Sequence, residues 1–219
     1  MMNPILLAEM ADLVLGRACR GCGRVGSELC DRCLAQARLS PPTVDRTRLG
    51  VPAWASSPYD GLARRLVLAY KDGQRTLARP LGLLLADAMR AALDDIGATG
   101  AVVVPIPAHR RARRGFDALA GICREAVASL RVDGRDAVLL RALTISADYR
   151  PAKSLGRRDR LAALEGAFVA RAGVDPPSAT TPLLVVDDVL TTGATLAEAV
   201  SALRAVGFSP AGACVVAAA

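Results

Sequence analysis

The spacing of apolar and polar residues divides most of the chain into alternating strands and helices. Short apolar runs predict buried parallel strands at 101–104, 183–186 and 211–216, and weaker strands at 137–140 and 168–169. Apolar residues at helical spacing predict one helix that follows 59–61 and ends near 71–73, and further helices over 80–95, 115–130 and 195–206. This alternation predicts an α/β fold, a doubly wound and mostly parallel sheet with helices on both faces. Ligands of such sheets bind outside the carboxyl ends of the strands.

The first 60 residues have a different pattern from the rest. Apolar residues at 5, 6, 10, 13 and 14 fall at helical spacing with Glu9 and Asp12 among them, which favours a packing helix over a signal peptide. We predict this helix and a four-cysteine segment in residues 1–40, a proline-containing linker in 41–60, and the α/β domain in 61–219. No apolar run is long enough to cross a bilayer, so we expect no membrane insertion and a cytoplasmic location.

The most informative segment is 183–195, with the sequence LLVVDDVLTTGAT. The predicted strand ends at two adjacent carboxylates, Asp187 and Asp188, and a loop of small residues then leads into a helix. Backbone N–H groups of such a loop suit a phosphate, with threonine hydroxyls as further donors. Carboxylates repel phosphate and instead suit sugar hydroxyls or a metal ion. The alternative is an ordinary strand–turn–helix connection, in which threonine and glycine serve turn and cap chemistry.

This segment resembles the 5-phosphoribosyl-1-pyrophosphate (PRPP) binding motif of the type I phosphoribosyltransferases. The resemblance implies the sheet of that family for residues 61–219. It also implies that Asp187 and Asp188, the candidate catalytic residues, accept hydrogen bonds from the ribose hydroxyls. The loop is implied to wrap the 5′-phosphate, and its candidate residues are Thr191, Thr192, Gly193, Ala194 and Thr195.

Four cysteines near the start of the chain form a second signal. Their pattern is C-x2-C-x7-C-x2-C, and the residues are Cys19, Cys22, Cys30 and Cys33. Two such pairs supply the four thiolates of a tetrahedral zinc site. With four protein ligands the site would be structural, and zinc would stabilise a segment too small for its own core. Disulfides, which the cytoplasm disfavours, and a redox pair are the alternatives.

The formal net charge of +7 comes almost entirely from arginine. Because alanine is also abundant, a composition bias accounts for part of this excess, and the clustering of the charges is more informative. Guanidinium groups match phosphate oxygens bidentately. The candidate pyrophosphate or polyanion loop contains His109, Arg110, Arg111 and Arg114. A candidate lid contains Lys153, Arg157 and Arg158. Both clusters are also compatible with solvated faces, and His109 with an ordinary loop residue.

The order of motifs along nearly the whole chain resembles the competence protein F (ComF) family of phosphoribosyltransferase-like proteins. After the cysteine pairs come Tyr70-Lys71-Asp72-Gly73, the run VPIP at 104–107, the run RGF at 114–116, the run GAF at 166–168, and finally the PRPP motif. The resemblance implies a link with natural transformation, with single-stranded DNA and DNA-uptake proteins as candidate partners. It also implies that Mg²⁺ accompanies PRPP.

Three functions remain compatible with the sequence. A phosphoribosyltransferase would bind PRPP with Mg²⁺ and release pyrophosphate when it meets its acceptor. A non-catalytic accessory protein would bind single-stranded DNA in a salt-dependent manner. A regulator would bind PRPP without turnover. Asp117 and Ala118 replace the Asn and Gln that the ComF family usually has there, so the acceptor is not identified. Sequence alone favours PRPP binding over any particular reaction.

Overall fold

The chain forms eight strands and five helices within the described residues. The computed structural model describes residues 18–38, 42–45, 49–107, 117–147, 149, 164–178 and 180–219. The strands are β1 (Thr43–Asp45), β2 (Ala53–Pro58), β3 (Gly100–Pro105), β4 (Asp136–Leu139), β5 (Leu143–Ile145), β6 (Phe168–Ala170), β7 (Leu183–Leu190) and β8 (Pro210–Ala218). The helices are α1 (Asp31–Arg38), α2 (Gly61–Lys71), α3 (Ala78–Ile96), α4 (Ala118–Val132) and α5 (Ala194–Arg204), and a 3₁₀ turn covers Arg75–Leu77.

Six strands form one sheet in the order β1-β2-β8-β7-β3-β4. β1 pairs antiparallel with β2, whereas all other neighbours are parallel. β5 and β6 form a separate antiparallel pair. The α/β class and the mostly parallel sheet predicted from the sequence are therefore confirmed.

The direction of the connections places helices on both faces of this sheet. The chain passes from β3 through α4 to β4, toward one edge, and from β7 through α5 to β8, toward the other edge. Since parallel crossovers are right-handed, α4 and α5 lie on opposite faces. α3 packs against α4, β2 and β8, so it shares the face of α4. The connections diverge between β3 and β7, and a crevice is expected at the carboxyl ends of these two strands.

Strands covered on both faces need apolar side chains on both faces, which explains the continuous apolar runs. Residues 101–104 of β3 and 183–186 of β7 are all buried. Cys123 of α4 and Cys214 of β8 are fully buried in the same core. In the described part of the chain, every helix is too short or too polar to cross a bilayer.

The segment 41–60 differs from the predicted linker. Ala53–Pro58 forms β2, which pairs with β8 inside the sheet, and Trp54 is only 1% exposed. The run AWASSP is short and ends in polar residues, so its own pattern is weak. Pairing with a strand at the other end of the chain stabilises it. The linker prediction is therefore wrong for residues 53–58.

Candidate functional site

Asp187 and Asp188 lie inside the last part of β7 rather than after its end. The predicted strand covered 183–186, but β7 continues to Leu190 because β8 is long enough to pair with it, Asp187 opposite Val215 and Leu190 opposite Ala218. Only residues 191–193 then connect β7 to α5. The two acids therefore stand on a rigid strand at the carboxyl edge of the sheet.

A lysine from a distant part of the chain contacts this acidic pair. Lys71 Nζ lies 2.6 Å from Asp188 Oδ2 and donates a 2.7 Å hydrogen bond to Oδ1. The two side chains are 30% and 15% exposed, so water screens the pair only in part. The sequence pattern around Lys71 indicates only the family resemblance and no contact with the acidic pair. Its occurrence as one of only two lysines in an arginine-rich chain was the available signal.

Asp187 has a strongly perturbed carboxyl group. Burial, and next the charge of Asp188, raise its pKa to about 7, against the lowering effects of the Asp188 backbone N–H and of Lys71. That N–H donates a 2.8 Å hydrogen bond to Asp187 Oδ1. The carboxyl is thus divided between its protonated and ionised forms near neutral pH. Perturbed groups of this kind are concentrated at functional sites, although structural networks also produce them.

The connection after β7 presents a helix N-terminus beside the acids. Gly193 is the N-cap of α5 and has a φ of 82°, a left-handed conformation that favours glycine. Because the N-cap residue is a glycine, it offers no side chain to the first N–H groups of α5. The first turn of this described helix contains no acidic residue. Thr192 Oγ1 accepts only a long hydrogen bond, 3.4 Å, from Ala194 N–H. The positive end of the α5 dipole at this turn favours an anion.

The predicted site residues are only partly brought together by the described structure. The carboxyl ends of β3 and β7, where the chain connections diverge, form the switch point of the sheet. This point brings together Asp187, Asp188 and residues 191–195. Ile106 N–H donates a 3.0 Å hydrogen bond to Val186 O there and joins the end of β3 to β7. The predicted anion loop, His109, Arg110, Arg111 and Arg114, lies outside the described residues, as does the predicted lid, Lys153, Arg157 and Arg158. The roles of these residues stay predictions.

Tyr70 holds the end of α2 that carries Lys71. It is 3% exposed, and its hydroxyl donates a 2.9 Å hydrogen bond to Ala118 O in the first turn of α4. Gly121 leaves room for this hydroxyl, because a Cβ there would overlap it. This hydrogen bond holds the last turn of α2 against α4 and so fixes the backbone position of Lys71. Tyr70 thereby positions the lysine against Asp188.

The four cysteines form a cluster whose sulfur atoms all lie within 4.8 Å of one another. Cys30 Sγ is 3.7 Å from both Cys19 Sγ and Cys22 Sγ. A tetrahedral site with Zn–S bonds of about 2.3 Å has sulfur–sulfur edges of about 3.8 Å. A disulfide is much shorter, about 2.05 Å, and all four cysteines are free. The sulfur set therefore fits a metal ion such as zinc.

The backbone around the cysteines is shaped for close approach of the sulfurs. Cys30 N–H donates a 3.3 Å hydrogen bond to Cys19 Sγ, and a Cβ at Gly21 would lie 2.5 Å from Cys33 Sγ. At Cys19 burial raises the pKa, but backbone N–H groups of Cys30, Cys22 and Gly21 outweigh it and lower the value to about 6. Burial and contacts with the other sulfurs raise the pKa of Cys33 to about 12. The Cys19 thiol therefore ionises more readily than the Cys33 thiol.

The cysteine segment is attached to α2, which carries Lys71, and to the 3₁₀ turn and helix that follow it. Arg65 of α2 donates a 3.1 Å hydrogen bond to Arg20 O, and the Thr76 hydroxyl bonds to the Glu28 carboxylate. α1, which begins at Asp31 and contains Cys33, ends at Arg38, whose guanidinium makes bonds of 2.7 and 2.8 Å to Asp87 of α3. The cysteine cluster and Lys71 of the acidic site are therefore joined through the hydrogen bonds of one helix, α2.

No protein-family model matches this chain, and no curated protein matches it significantly.

Proposed function

We propose that this protein binds PRPP, or a related ribose phosphate, together with Mg²⁺, on a sheet of the type I phosphoribosyltransferase kind. The observation that carries the proposal is the position of Asp187 and Asp188. They stand at the switch point of the sheet, directly before a short glycine loop and the N-terminus of α5. This arrangement offers acceptors for hydroxyl groups and donors for a phosphate, a few residues apart.

Each part of the ligand would meet a group of matching chemistry. The 5′-phosphate accepts hydrogen bonds from the backbone N–H groups of 193–195 and from the threonine hydroxyls of the loop. The 2′- and 3′-hydroxyls of the ribose donate to Asp187 and Asp188. Lys71 offsets the repulsion between Asp188 and an anionic ligand, since its ammonium already lies against that carboxylate.

We further propose that the protein transfers the phosphoribosyl group to an acceptor. The bond between C1 and the pyrophosphate oxygen breaks, and that oxygen keeps the electron pair. A lone pair of the acceptor forms the new bond to C1, and the acceptor proton is released to water. Positive charge develops at the ribose during this exchange, and the carboxylates of Asp187 and Asp188 stabilise it.

We propose that Mg²⁺ binds together with PRPP and not to the ligand-free protein. Carboxylate oxygens are ligands that Mg²⁺ prefers, but Lys71 already occupies Asp188, so the pair alone is a poor cation site. When bound with PRPP, the cation supplies charge neutralisation at the leaving pyrophosphate.

We also propose that the ion held by the four cysteines is structural zinc, because protein sulfurs fill all four positions of a tetrahedral site. The metal would stabilise the attachment of 18–38 to α2 and α3 through the contacts of Arg65, Thr76 and Arg38. Reduced cysteines also support a cytoplasmic location.

The decisive experiment is calorimetric titration of PRPP, with and without Mg²⁺, into wild type and into Asp187→Asn/Asp188→Asn. The control variant is Asp94→Asn/Asp175→Asn, which changes two exposed aspartates. We expect saturable, Mg²⁺-dependent binding in wild type and in the control, and loss of binding in the first variant. Circular dichroism establishes that each variant is folded.

A folded, metal-replete wild type that does not bind PRPP would contradict the proposal. Salt-dependent binding of a single-stranded oligonucleotide by that protein would then support the accessory function. PRPP binding without pyrophosphate release for any acceptor would instead indicate a regulator.

A further inference from the structure

A cavity opens at the edge of the sheet opposite to the proposed PRPP site. β3, β4, β7 and β8 run parallel, so their first residues lie at one edge, which we call the amino edge. Gly100, Asp136 and Leu183, the first residues of β3, β4 and β7, line this cavity. Its volume is about 670 Å³, within the range of roughly 300–1,000 Å³ typical of small-molecule sites. We call it the amino-edge cavity.

The amino-edge cavity is separate from the acidic pair. Leu183 lines the cavity, and Asp187 lies further along the same strand, β7. At a rise of about 3.3 Å per residue in a parallel strand, these two residues are about 13 Å apart. A ligand in the cavity would therefore not occupy the proposed ribose position, and its binding does not depend on the proposed function.

The lining of the amino-edge cavity offers few N–H donors to a ligand. Pro176, Pro177 and Pro182 have no backbone N–H. Other lining residues have a backbone N–H that already donates to a carbonyl or hydroxyl oxygen of the protein, and these are Gly97, Ala98, Asp136, Thr180, Thr181 and Gly207. Among the described lining residues there is no lysine, arginine or histidine. A ligand in this cavity must therefore supply donors of its own.

Acceptors, by contrast, surround the amino-edge cavity. α3 ends at Ile96, which lines the cavity, and the turn that follows α5 reaches it at Gly207. The aligned carbonyl dipoles of a helix leave a negative potential at its C-terminus. Hydroxyl oxygens of the lining add further acceptors, and they belong to Thr99, Ser178, Thr180, Thr181 and Ser209. Two of these hydroxyls, on Ser178 and Thr180, bond to each other at 3.0 Å.

Asp136 supplies the charge of the amino-edge cavity. It is exposed, and within the described residues its carboxylate forms no ion pair and no hydrogen bond. The guanidinium of the adjacent Arg135 is held elsewhere, by a 2.6 Å bond to Asp94 Oδ1. Arg204, at the end of α5, donates a 3.2 Å bond to Gly50 O. In the described structure the lining thus has one negative charge and no positive charge.

We propose that the amino-edge cavity binds a small organic molecule bearing an ammonium group. An ammonium has three N–H donors and no acceptor, so it complements a lining with many acceptors, one carboxylate and few free donors. A bare Mg²⁺ or Ca²⁺ ion fits poorly, because such ions need about six or more oxygen ligands close around them. The carbon skeleton of the ligand would pack against the prolines of the lining and against Ile96, which is 39% exposed.

The test is an NMR titration of 1,4-diaminobutane into the ligand-free, full-length protein, followed through the backbone amide signals. 1,4-Butanediol is the uncharged probe of the same chain length. Asp136→Asn removes the charge of the cavity and keeps the shape of the side chain. Asp60→Asn is the matched control, since it makes the same change at an exposed residue beyond the carboxyl end of β2. Ser209→Lys places a competing ammonium at an exposed position of the lining.

In wild type we expect saturable shifts of the amides at 97–100 and 207–211. The dissociation constant should rise about fivefold or more in Asp136→Asn, which loses a charge-assisted hydrogen bond, and in Ser209→Lys, and it should stay unchanged in Asp60→Asn. We expect no saturable shift with the diol. Equal affinity of wild type and Asp136→Asn, equal binding of the diol, or shifts confined to 187–193 would overturn the inference.

A lysine tripeptide tests the other occupant with the same chemistry. If it binds more tightly than the diamine and loses this binding in Asp136→Asn, the small-molecule assignment is overturned in favour of a basic segment of a partner protein. All these titrations use protein without PRPP. Failure of the proposed PRPP binding therefore leaves the cavity result unaffected, and failure of amine binding leaves the PRPP result unaffected.

Discussion

Lys71 and Asp188, which are 117 residues apart in the sequence, form an ion pair at the carboxyl edge of the sheet. The ammonium lies within 2.7 Å of both carboxylate oxygens. This pair joins α2 to β7 and places a cation against the acidic pair. Two variants of Lys71 and two of the acids test its contribution separately.

Replacing Lys71 by methionine is expected to destabilise the protein. The change leaves Asp188 partly buried without its cation, and breaking such a pair from one side typically costs about 1–3 kcal/mol at this exposure. Denaturant unfolding at pH 8 measures the loss. Lys71→Arg keeps the charge and is expected to recover most of the stability. Wild-type stability in Lys71→Met would mean that the pair is energetically neutral.

Asp187→Asn is expected to stabilise the ligand-free protein at alkaline pH. The folded-state pKa is raised from 3.8 to about 7, so between these values the folded protein keeps a proton that the unfolded chain has lost. Stability from this group therefore falls as pH rises through that window, and the loss is complete above about pH 7. Asparagine carries no charge and avoids the loss.

The expected gain at pH 8 is about 1–3 kcal/mol, and it should disappear near pH 4, as thermal unfolding at both pH values would measure. Asp188→Asn provides the contrast, because it breaks the pair with Lys71 and should lower stability at pH 8. A gain in Asp187→Asn that is the same at both pH values would contradict the burial argument.

Cys19→Ser is expected to abolish metal binding, since it removes one of four sulfurs that share a single cluster. Metal content by mass spectrometry and the thermal midpoint should both fall, because binding energy of a structural metal is folding energy. Cys214→Ala is the matched control, as it removes a buried cysteine outside the cluster. Equal metal content in wild type and Cys19→Ser would exclude the four-sulfur site.

Gly121→Ala tests how Lys71 is positioned. In a helix this substitution normally stabilises by up to about 1 kcal/mol. Here the new Cβ would overlap the Tyr70 hydroxyl, which bonds to Ala118 O, so we expect a destabilisation of about 1–3 kcal/mol instead. Tyr70→Phe should cost about 1 kcal/mol through the lost hydrogen bond alone. Denaturant unfolding measures the change in the free energy of unfolding of Gly121→Ala. A decrease supports the overlap with Tyr70, whereas an increase would contradict it.

The elements with strong internal patterns could be predicted from the sequence. α2, α3 and β3 match their predicted ranges within about two residues, because buried faces impose helical spacing or continuous apolar runs. β2 and β5 were not predicted. Each is a short strand whose stability comes from a partner strand far along the chain, β8 for β2 and β6 for β5. Such pairing leaves little trace in the local sequence.

Local sequence patterns were enough to predict the α/β class, the acidic pair with its glycine loop, and the four cysteines, because these depend on residues close together in the chain. Only the packed structure shows that Lys71 contacts Asp188 and that the Tyr70 hydroxyl fits against Gly121. These contacts join residues separated by tens of positions or more. Their geometry is set by how α2, α4 and the strands pack, which no local pattern of side chains specifies.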